Sequence, residues 1–339
     1  MAVLNKEYNK FDKEIKLNQT RKESLVKSRK ELRKKIKNWF KENKPDEIQP
    51  KSHAQGSSEM GTTVNPIVKY DEEGNGIREY DTDDGVYFIK INDDDKKQSI
   101  TSWHDWVYKA VEGHTEKDPI RKTTCVRVIF ADGHHIDLPI YFKENNFIEL
   151  AHKSKGWIES DPKEFYEWFN DEKKTKPRLE AIVRCLKGWK NFQENKNPNL
   201  KLPSGFELTI LLTENYVDAD NLDEAFRKTV EAMFDTLNKS NGFKCIRPTT
   251  PKGEDVFENY SSTRKSNFLS NLRSLVDDCD KASKEMNFKK ASEILRVNQF
   301  GDRFPKGEDK NEESKSSALK KSLSSAIIPP KPYGNQRSN

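Results

Sequence analysis

Cysteine and long apolar runs are scarce in this chain. It has only 4 cysteines in 339 residues, and none of them forms a CxxC pair: Cys125, Cys185, Cys245 and Cys279. This scarcity argues against a disulfide framework or a zinc site and predicts reduced, buried thiols. No apolar run approaches the roughly 20 residues that span a bilayer. The N-terminus also lacks the apolar core of a signal peptide, so we expect a cytoplasmic protein without a membrane segment.

Charged and aromatic residues are abundant instead. Charged residues make up 35% of the chain, and 18 Phe, 10 Tyr and 6 Trp supply enough large side chains for a core. Such aromatic content argues against a fully disordered chain. Residues 1–51 carry 16 basic and 8 acidic residues, a charge of +8, so the remainder of the chain carries −3 of the net +5. A basic helix can bind nucleic acid through counterion release, although it is more often a solvated helix face.

The hydrophobic pattern changes character along the chain. Helical spacing predicts a short helix over residues 4–15 and a long one from about residue 20 to Pro45. Residues 45–65 contain several Pro and Gly residues and are typical of a loop. Alternating patterns then predict strands at 80–91, 125–130 and 135–142. Between the first two of these, residues 101–111 are predicted to form a helix. Further helices are predicted at 163–171, 177–195, 204–215, 221–240 and 263–297. Strands followed by a run of helices indicate an α+β fold.

Three features of the strand region could carry chemistry. The first is the small-residue segment Gln55-Gly56-Ser57-Ser58, since backbone N–H groups of such a loop can approach a phosphate without a side-chain clash. On its own this signal is weak, because Gly-Ser pairs are mostly ordinary turns.

The second feature is Asp81-Thr82-Asp83 within a predicted strand. Strand alternation places Asp81 and Asp83 on one face, whereas Asp84 points to the opposite face or into the turn at Gly85. Two carboxylates held so close repel each other unless a divalent cation neutralises them. A solvated acidic edge is the alternative interpretation.

The third feature is Asp137, a carboxylate inside an otherwise apolar strand. Burying it is costly unless it is paired or binds metal, and a structural salt bridge is the alternative. The adjacent His134 and His135 point to opposite faces of the strand and are interpreted as structural. Five nearby aromatic residues are interpreted mainly as packing residues: Trp157, Phe165, Tyr166, Trp168 and Phe169.

Together these segments resemble the nucleotidyltransferases with a polymerase-β-like core, and more narrowly the bacterial CD-NTases, the cGAS/DncV-like enzymes of antiphage CBASS systems. The matching text is QGSSEMGT, DTDDGVYF and HIDLPIY, with support from RLEAIVRCLKGWKNF, KLPSGFELTILL and FGDRFP. The resemblance implies a mixed sheet, a long N-terminal spine helix and a helical C-terminal lobe. It divides the chain into N-terminal helices (1–48), a catalytic core (49–160), a helical lobe (161–305) and a flexible tail (306–339).

The resemblance also implies roles for individual residues. Asp81, Asp83 and Asp137 would bind two Mg²⁺ ions, with Mn²⁺ as a substitute. The nucleotide would be held by Gln55, Gly56, Ser57, Lys187 in RCLKGW and Ser204 in LPSGF. Animal relatives have a base-stacking tyrosine after this serine, and this chain has Gly205 there, so the group that stacks on the base is left open.

The activity implied by the resemblance is conversion of nucleoside triphosphates, ATP and GTP first among them, into a cGAMP-like cyclic di- or trinucleotide. The product would act on an effector protein in antiviral defence. A CBASS accessory protein could act on the C-terminal tail, and activation by nucleic acid is compatible with the chain but not required. Base identity, linkage, ring size, oligomeric state and activating ligand are left open.

Two other functions fit parts of the sequence. A polymerase-β-like transferase would add nucleotides to an RNA or protein acceptor and release no small cyclic product. A nucleic-acid-binding module would use the basic helix in 1–51, with steep salt dependence and no role for Asp81. The carboxylates lie outside the basic segment, which favours the enzyme.

Overall fold

The computed structural model describes residues 2–70, 74, 76, 77 and 79–309. The helices in this described part are α1 (Asn5–Ile15), α2 (Gln19–Asn43), α3 (Ile100–Val111), α4 (Pro162–Thr175), α5 (Leu179–Lys196), α6 (Gly205–Glu214), α7 (Leu222–Leu237), α8 (Ser262–Lys284) and α9 (Phe288–Leu295). The strands are β1 (Lys51–Gln55), β2 (Lys69–Tyr70), β3 (Gly76–Ile77), β4 (Tyr80–Ile89), β5 (Ile120–Arg121), β6 (Cys125–Ile129), β7 (His134–Glu144), β8 (Phe147–His152) and β9 (Gly156–Glu159). Short 3-10 turns cover Gly56–Ser58 and Gly301–Arg303.

A mixed sheet of seven strands forms the first half of the molecule. Its order is β1-β4-β7-β6-β5, and β8 joins it by pairing with both β7 and β9. Among the described strands of this sheet, β4 and β7 pair in parallel and the other pairs are antiparallel. In this strand order, β4 and β7 are interior strands of the sheet. They contain all three predicted metal-binding aspartates. The separate β2–β3 pair forms a two-stranded sheet.

Helix α2 packs on the sheet through a stripe of apolar residues. Leu32, Ile36 and Phe40 recur at spacings of four residues, so they share one helix face, and all three are fully buried. They join the sheet and α3 in one core, in which the Phe88 and Trp103 rings stack at 4.4 Å. The long basic helix thus buries its apolar stripe against the strands and leaves most of its lysines exposed.

A second core joins α1 to the helical half of the chain. Tyr8 and Phe11 of α1 are fully buried and pack against Phe300 and Phe304 at centroid distances between 4.9 and 6.0 Å. Helices α5 to α9 contribute most of the remaining apolar side chains. The two N-terminal helices therefore divide their packing, with α1 on the helical core and α2 on the sheet.

Arg184 of α5 links three parts of the fold. Its guanidinium donates to both carboxylate oxygens of Asp12 in α1, at 2.7 and 2.9 Å, and to the carbonyl oxygen of Gly61 at 2.7 Å. It also pairs with Glu180 one turn earlier. Since Arg184 is only 4% exposed, this buried cation holds the loop after Ser58 against both α1 and α5.

Most predicted elements are confirmed to within a few residues, and two predictions are wrong. Residues 45–65 were expected to form a loop, yet Lys51–Gln55 is a strand that pairs antiparallel with β4. The single helix expected over 263–297 is two helices, which are separated because Asn287 caps α9 by accepting from the Lys290 N–H. The flexible tail was predicted for residues 306–339, and all of it after residue 309 lies outside the described residues. The predicted domain boundaries stay predictions.

Two predictions of absence concern cysteine and membrane segments. All four cysteines are free and buried, and their burial agrees with the prediction. Within the described ranges, no helix combines the length and the apolar composition needed to cross a membrane.

Candidate active site

The parallel pairing of β4 and β7 brings the predicted aspartates together. In this register Asp83 lies opposite Asp137, and Asp81 lies opposite His135. Residues i and i+2 of a strand share a face, so Asp81 and Asp83 point to the same side. One ligand atom from each of Asp81, His135 and Asp137 lies within 4.8 Å of the others. Three carboxylates and an imidazole therefore converge from two neighbouring strands.

The three carboxylates have different surroundings. Asp81 is 54% exposed, and its Oδ2 is 3.7 Å from His135 Nε2. Asp137 is only 14% exposed, and Arg127 of β6 donates to both of its oxygens at 2.7 Å. The salt bridge that was the alternative explanation for Asp137 is therefore present. A carboxylate has about four lone-pair sites, so Asp137 keeps acceptor capacity toward a cation.

Electrostatic repulsion is concentrated on Asp83. Burial, followed by the nearby charges of Asp81 and Asp137, raises the pKa of Asp83 to about 7. The pKa of Asp81 is lowered, chiefly by its interaction with His135. Carboxylates that repel one another in this way are the donor set that a divalent cation with oxygen ligands requires. The residues present therefore fit Mg²⁺ or Mn²⁺.

The opposite face of β4 is structural. Asp84 is 1% exposed and accepts two hydrogen bonds from Arg33 of α2, at 2.8 and 2.5 Å. Thr82 is buried and shares a 2.8 Å hydrogen bond with Ser58. The prediction that Asp84 faces away from Asp81 and Asp83 is confirmed, and this residue anchors the sheet to α2.

The small-residue loop lies directly against the carboxylates. Gly56 follows β1 and has φ +77°, and a Cβ placed there would come 2.4 Å from Asp83 Oδ2. Both the backbone conformation and the contact disfavour any side chain at this position. Ser57 and Ser58 are held by Thr63 and Thr82 through hydroxyl hydrogen bonds of 2.9 and 2.8 Å.

Gln55 supports the loop from below. Its amide nitrogen donates to the Tyr141 hydroxyl at 3.0 Å, and its amide oxygen accepts from Tyr87 at 3.1 Å. The two tyrosine rings stack with centroids 4.6 Å apart. The side chain of Gln55 is therefore committed to the sheet, and its contact with a nucleotide stays a prediction.

Lys187 enters the same cleft from α5. It is 7% exposed, and its Nζ donates to Thr62 Oγ1 at 3.0 Å. Burial lowers the pKa of Lys187 to about 8, although the charge of Asp81 raises it. A side chain at Gly205 would crowd this lysine, because a Cβ there would lie 3.0 Å from Lys187 Cε.

Ser204 has a clear structural task. Its hydroxyl accepts from the Glu207 N–H at 3.3 Å, while the Glu207 carboxylate accepts from the Ser204 N–H at 2.5 Å. This capping box starts α6. Gly205 and Phe206 line the cleft, whereas Ser204 is not among its lining residues. A role of Ser204 in nucleotide binding stays a prediction.

The cleft that these residues line has a volume of about 560 Å³. Its far wall includes residues that the sequence interpretation missed or treated as packing. Phe165 and Phe206 lie 4.6 Å apart, and the Arg247 guanidinium lies 5.3 Å from the Phe206 ring centre. Arg247 Nε is buried and has no hydrogen-bond partner in the described part of the chain. Aromatic rings and an arginine can stack on a nucleobase, and here they line the same cleft as the Gly56–Ser58 turn.

The histidine pair divides as its alternation requires. His134 is 3% exposed, stacks on Phe130 at 4.2 Å and shares a hydrogen bond with Ser28 at 3.0 Å, so its interpretation as structural agrees with its contacts. His135 instead lies beside Asp81 in the carboxylate group. Its position opposite Asp81 follows from the parallel strand register, which the sequence does not reveal.

Comparisons with known proteins agree with this geometry. Residues 50–141 match the family model for the nucleotidyltransferase domain of cyclic GMP-AMP synthase DncV-like proteins. A curated cyclic GMP-AMP synthase from Escherichia albertii is 26% identical over 193 residues, which cover 55% of this chain and 42% of the relative. The alignment thus spans less than half of that relative's length.

Solved structures show the same fold. Vibrio cholerae DncV, in complex with nonhydrolyzable GTP, has a TM-score of 0.73 at 19% identity over 89% of this chain and 96% of its own. The E. coli MS115-1 CdnC:HORMA-deltaN complex contains a chain with a TM-score of 0.67 at 16% identity, covering 89% of this chain and 98% of that one. The α+β fold with a mixed sheet is therefore confirmed. The predicted resemblance to bacterial CD-NTases is confirmed as well, since residues 50–141 are similar to the DncV-like nucleotidyltransferase domain.

Proposed function

We propose that this chain is a Mg²⁺-dependent cyclic oligonucleotide synthase that converts nucleoside triphosphates, first of all ATP and GTP, into a cGAMP-like cyclic di- or trinucleotide. The observation that carries this proposal is the close approach of the Gly56 loop to Asp83. In the strand register, Asp83 lies opposite Asp137 of the neighbouring strand. A triphosphate held by the loop would lie beside the carboxylates. The DncV-like domain supports the reaction class.

The described residues can position the substrate before any chemistry occurs. Gly56 leaves the backbone open to a phosphate, and Ser57 offers a hydroxyl at the same turn. Lys187 can supply a positive charge to the phosphates from the opposite wall. Phe206 and Arg247 offer a stacking surface and a hydrogen-bond donor for a base where Gly205 leaves space.

The carboxylates carry the electrostatic part of the mechanism. Asp81, Asp83 and Asp137 would hold two divalent ions, with His135 beside Asp81. When bound, these ions neutralise phosphate charge and lower the pKa of the attacking ribose hydroxyl. We assign to Asp137 the acceptance of a hydrogen bond from that hydroxyl, with Arg127 fixing the orientation of its carboxylate.

Ring formation requires two transfers in one cleft. In the first, a ribose hydroxyl attacks the α-phosphorus of the other nucleotide, loses its proton and releases pyrophosphate; in the second, the free hydroxyl attacks the α-phosphorus of the remaining triphosphate and releases a second pyrophosphate. Phosphoryl transfer depends mainly on positioning and charge, so the same carboxylates can serve both steps once the linear intermediate has turned round.

The biological setting is part of the proposal. A cyclic product would activate an effector protein in antiviral defence of the CBASS type, in the cytoplasm. The CdnC structure was solved as a complex with a HORMA protein, and this supports a protein partner for the present chain too. An accessory protein acting on the C-terminal tail is a further proposal. It is tested by truncation after Asp309, which keeps the Lys6–Glu308 contact and the Gly307–Ser292 hydrogen bond.

The decisive experiment follows the products. The purified protein is incubated with pairs of labelled triphosphates and Mg²⁺, treated with phosphatase, and analysed by mass spectrometry. Phosphatase-resistant cyclic products support the proposal, and their loss in Asp81→Asn ties them to the site. Extension of an added RNA or protein would indicate the polymer-acceptor alternative. Salt-sensitive nucleic-acid binding with no triphosphate consumption would indicate a binding module using α2.

A further inference from the structure

A second, larger cavity lies on the other side of the segment that lines the active-site cleft. Its volume is about 880 Å³, and it is bordered by the end of α1, the α1–α2 connection, residues 65–68, the end of α5 and residues 300–303. We call it the α1–α2 pocket. Its volume is in the range of pockets that bind small organic molecules.

Four basic side chains line the α1–α2 pocket: Lys13, Lys16, Arg21 and Arg303. Among the described residues, none of the four forms an ion pair, although most basic residues elsewhere on α4 and α5 do. Two acids also line the pocket. Asp302 is paired with Arg296, which leaves Glu14 as the one lining carboxylate without such a pair in the described ranges. The pocket therefore has an excess of uncompensated positive charge.

Two of these cations are fixed on one residue. Arg21 donates to Asn65 Oδ1 at 2.7 Å, and Arg303 donates to the Asn65 carbonyl oxygen at 2.8 Å. Both guanidinium groups thus reach the same residue, Asn65, and an anionic ligand beside it could accept their remaining hydrogen bonds. Arg303 Nη2 is buried without a hydrogen-bond partner among the described residues. Burial lowers the pKa of Arg303, and Glu14 only partly offsets this.

The rest of the wall is apolar. Ile67, Val68, Phe192 and Phe300 line the pocket beside the basic groups. A ligand that fits this lining needs an anionic group for the arginines and lysines and an apolar or aromatic body for the remainder. An inorganic ion alone would leave the apolar wall unused, since apolar contacts contribute in proportion to their area.

We propose that the α1–α2 pocket is a regulatory site for a small organic phosphate with an aromatic or apolar body. Phosphate matches the lining because it offers several acceptor oxygens to guanidinium and ammonium donors at once. The binding claim stands on the pocket alone and does not depend on the activity proposed above.

The segment from Thr62 to Pro66 connects this pocket to the active site. Thr62 accepts from Lys187 and Thr63 bonds to Ser57 on the cleft side, whereas Asn65 holds Arg21 and Arg303 on the pocket side. Pro66 lines both cavities. A phosphate that draws the two arginines away from Asn65 loosens this segment. The ligand is therefore an inhibitor that weakens triphosphate binding, and this part rests on the proposed function.

Binding is tested with phenyl phosphate on the full chain, by calorimetry and ligand-observed NMR. We expect one site, with affinity reduced about tenfold or more in the Lys13→Gln/Lys16→Gln double variant, since charge-assisted contacts are lost. Both lysines are exposed, so this variant is expected to fold. Arg303→Gln is expected to weaken binding further. Inorganic phosphate is expected to bind more weakly than phenyl phosphate, and benzyl alcohol, which lacks the charge, is expected not to bind.

Two control variants separate the sites. Lys10→Gln changes an exposed lysine on α1 that does not line the pocket, and Lys187→Met changes the active-site cleft; both are expected to keep the affinity for phenyl phosphate. Loss of binding in Lys187→Met alone would place the probe in the cleft and overturn the proposal. Absence of binding at millimolar concentration, or binding that ignores both Arg303→Gln and the lysine double variant, would overturn it as well.

The regulatory claim is tested by measuring how phenyl phosphate in the α1–α2 pocket changes the affinity of the active site for triphosphate. Saturating phenyl phosphate is expected to weaken binding of a nonhydrolysable triphosphate about fivefold in the wild type, with an equal reciprocal effect. The double variant is expected to show no coupling. Unchanged triphosphate affinity with phenyl phosphate bound overturns the regulatory claim. A wild type that binds phenyl phosphate but no triphosphate contradicts the proposed function and leaves the pocket standing.

Discussion

Gly56 lies against Asp83 so closely that the two residues define a single site. A Cβ at Gly56 would be 2.4 Å from Asp83 Oδ2, and the backbone of Gly56 has a positive φ of +77°. The Gly56–Ser58 turn after β1 and the acidic strand β4 are therefore in direct contact. Any side chain at position 56 must displace either the carboxylate or the loop.

Gly56→Ala is expected to lower activity on the order of 100-fold, because a displacement of about 1 Å at a reacting centre has effects of this size. The measurement is product formation at saturating triphosphate. Gly113→Ala is the matched control, since Gly113 also has a positive φ (+64°), but a Cβ at Gly113 would have no neighbouring atom within 4 Å. Both variants place an alanine at a positive φ. Equal activities would show that the Asp83 contact is unimportant.

Asp83→Asn is expected to abolish divalent-cation binding while stabilising the metal-free protein above pH 7. The pKa of Asp83 is about 7 in the folded chain, above the roughly 3.9 of an unfolded aspartate. The folded state therefore retains a proton that the unfolded state releases, and stability falls as pH rises from about 4 to 7. Thermal unfolding in EDTA at pH 8 measures the gain, and Mn²⁺ paramagnetic resonance measures the binding.

Asp84→Asn is the control for that experiment, one position along the same strand. Asp84 points away from the site and pairs with Arg33, whose side chain is 33% exposed, so loss of the carboxylate charge is expected to destabilise the chain by about 1–3 kcal/mol. Mn²⁺ binding should persist in the folded fraction. A loss of Mn²⁺ binding equal to that in Asp83→Asn would contradict the assignment of faces.

The affinity for triphosphate is expected to fall as pH rises through about 8, the pKa to which burial lowers Lys187. Below this pH the ammonium is charged and attracts phosphate; above it the free protein holds a neutral amine. At pH 9 about one tenth of the molecules remain charged, so affinity should drop up to about tenfold from pH 7. Titration of a nonhydrolysable GTP analogue without metal checks this, and Lys187→Met should flatten the profile.

Arg184→Met is expected to destabilise the chain by about 3 kcal/mol, because it leaves the largely buried Asp12 without its partner. Arg184 is 5% exposed on its side chain, and Asp12 is 16% exposed. Urea unfolding gives the change in free energy. The control is Arg273→Met, whose pair with Asp277 is exposed at 60% and 56% and should contribute less than about 1 kcal/mol. Similar values for both variants would rule out the proposed link between α1, α5 and the loop.

Local patterns predicted most of the elements that carry the site. The alternation around Asp81 and Asp83 placed both carboxylates on one face, and the pairing of Asp84 with Arg33 confirms the opposite direction of that side chain. The strand β1 was missed because residues 45–65 contain Pro and Gly, and because the pairing that makes it a strand comes from β4. A strand's stability depends on its neighbour, which a local pattern cannot show.

The helical half shows the same limit at a different place. Residues 263–297 have continuous helical character in the sequence. In the structure, however, α8 ends at Lys284 and a new helix, α9, begins after Asn287, which caps it. Side-chain capping competes with helix continuation, and the outcome depends on how each segment packs. The Ala2 N–H donates to the Glu285 carbonyl oxygen at 2.7 Å at this break, a contact between segments far apart in the sequence.

By itself, the sequence determined the residues of the chemistry: a glycine-serine loop, two carboxylates two positions apart, and a third carboxylate in an apolar strand. Tertiary structure alone decided what these residues face. The parallel register put His135 beside Asp81, the sheet brought Arg127 to Asp137, and folding α1 against residues 300–303 made the α1–α2 pocket. The physical reason is that spacing fixes direction within one element, whereas distance between elements results from packing of the whole core.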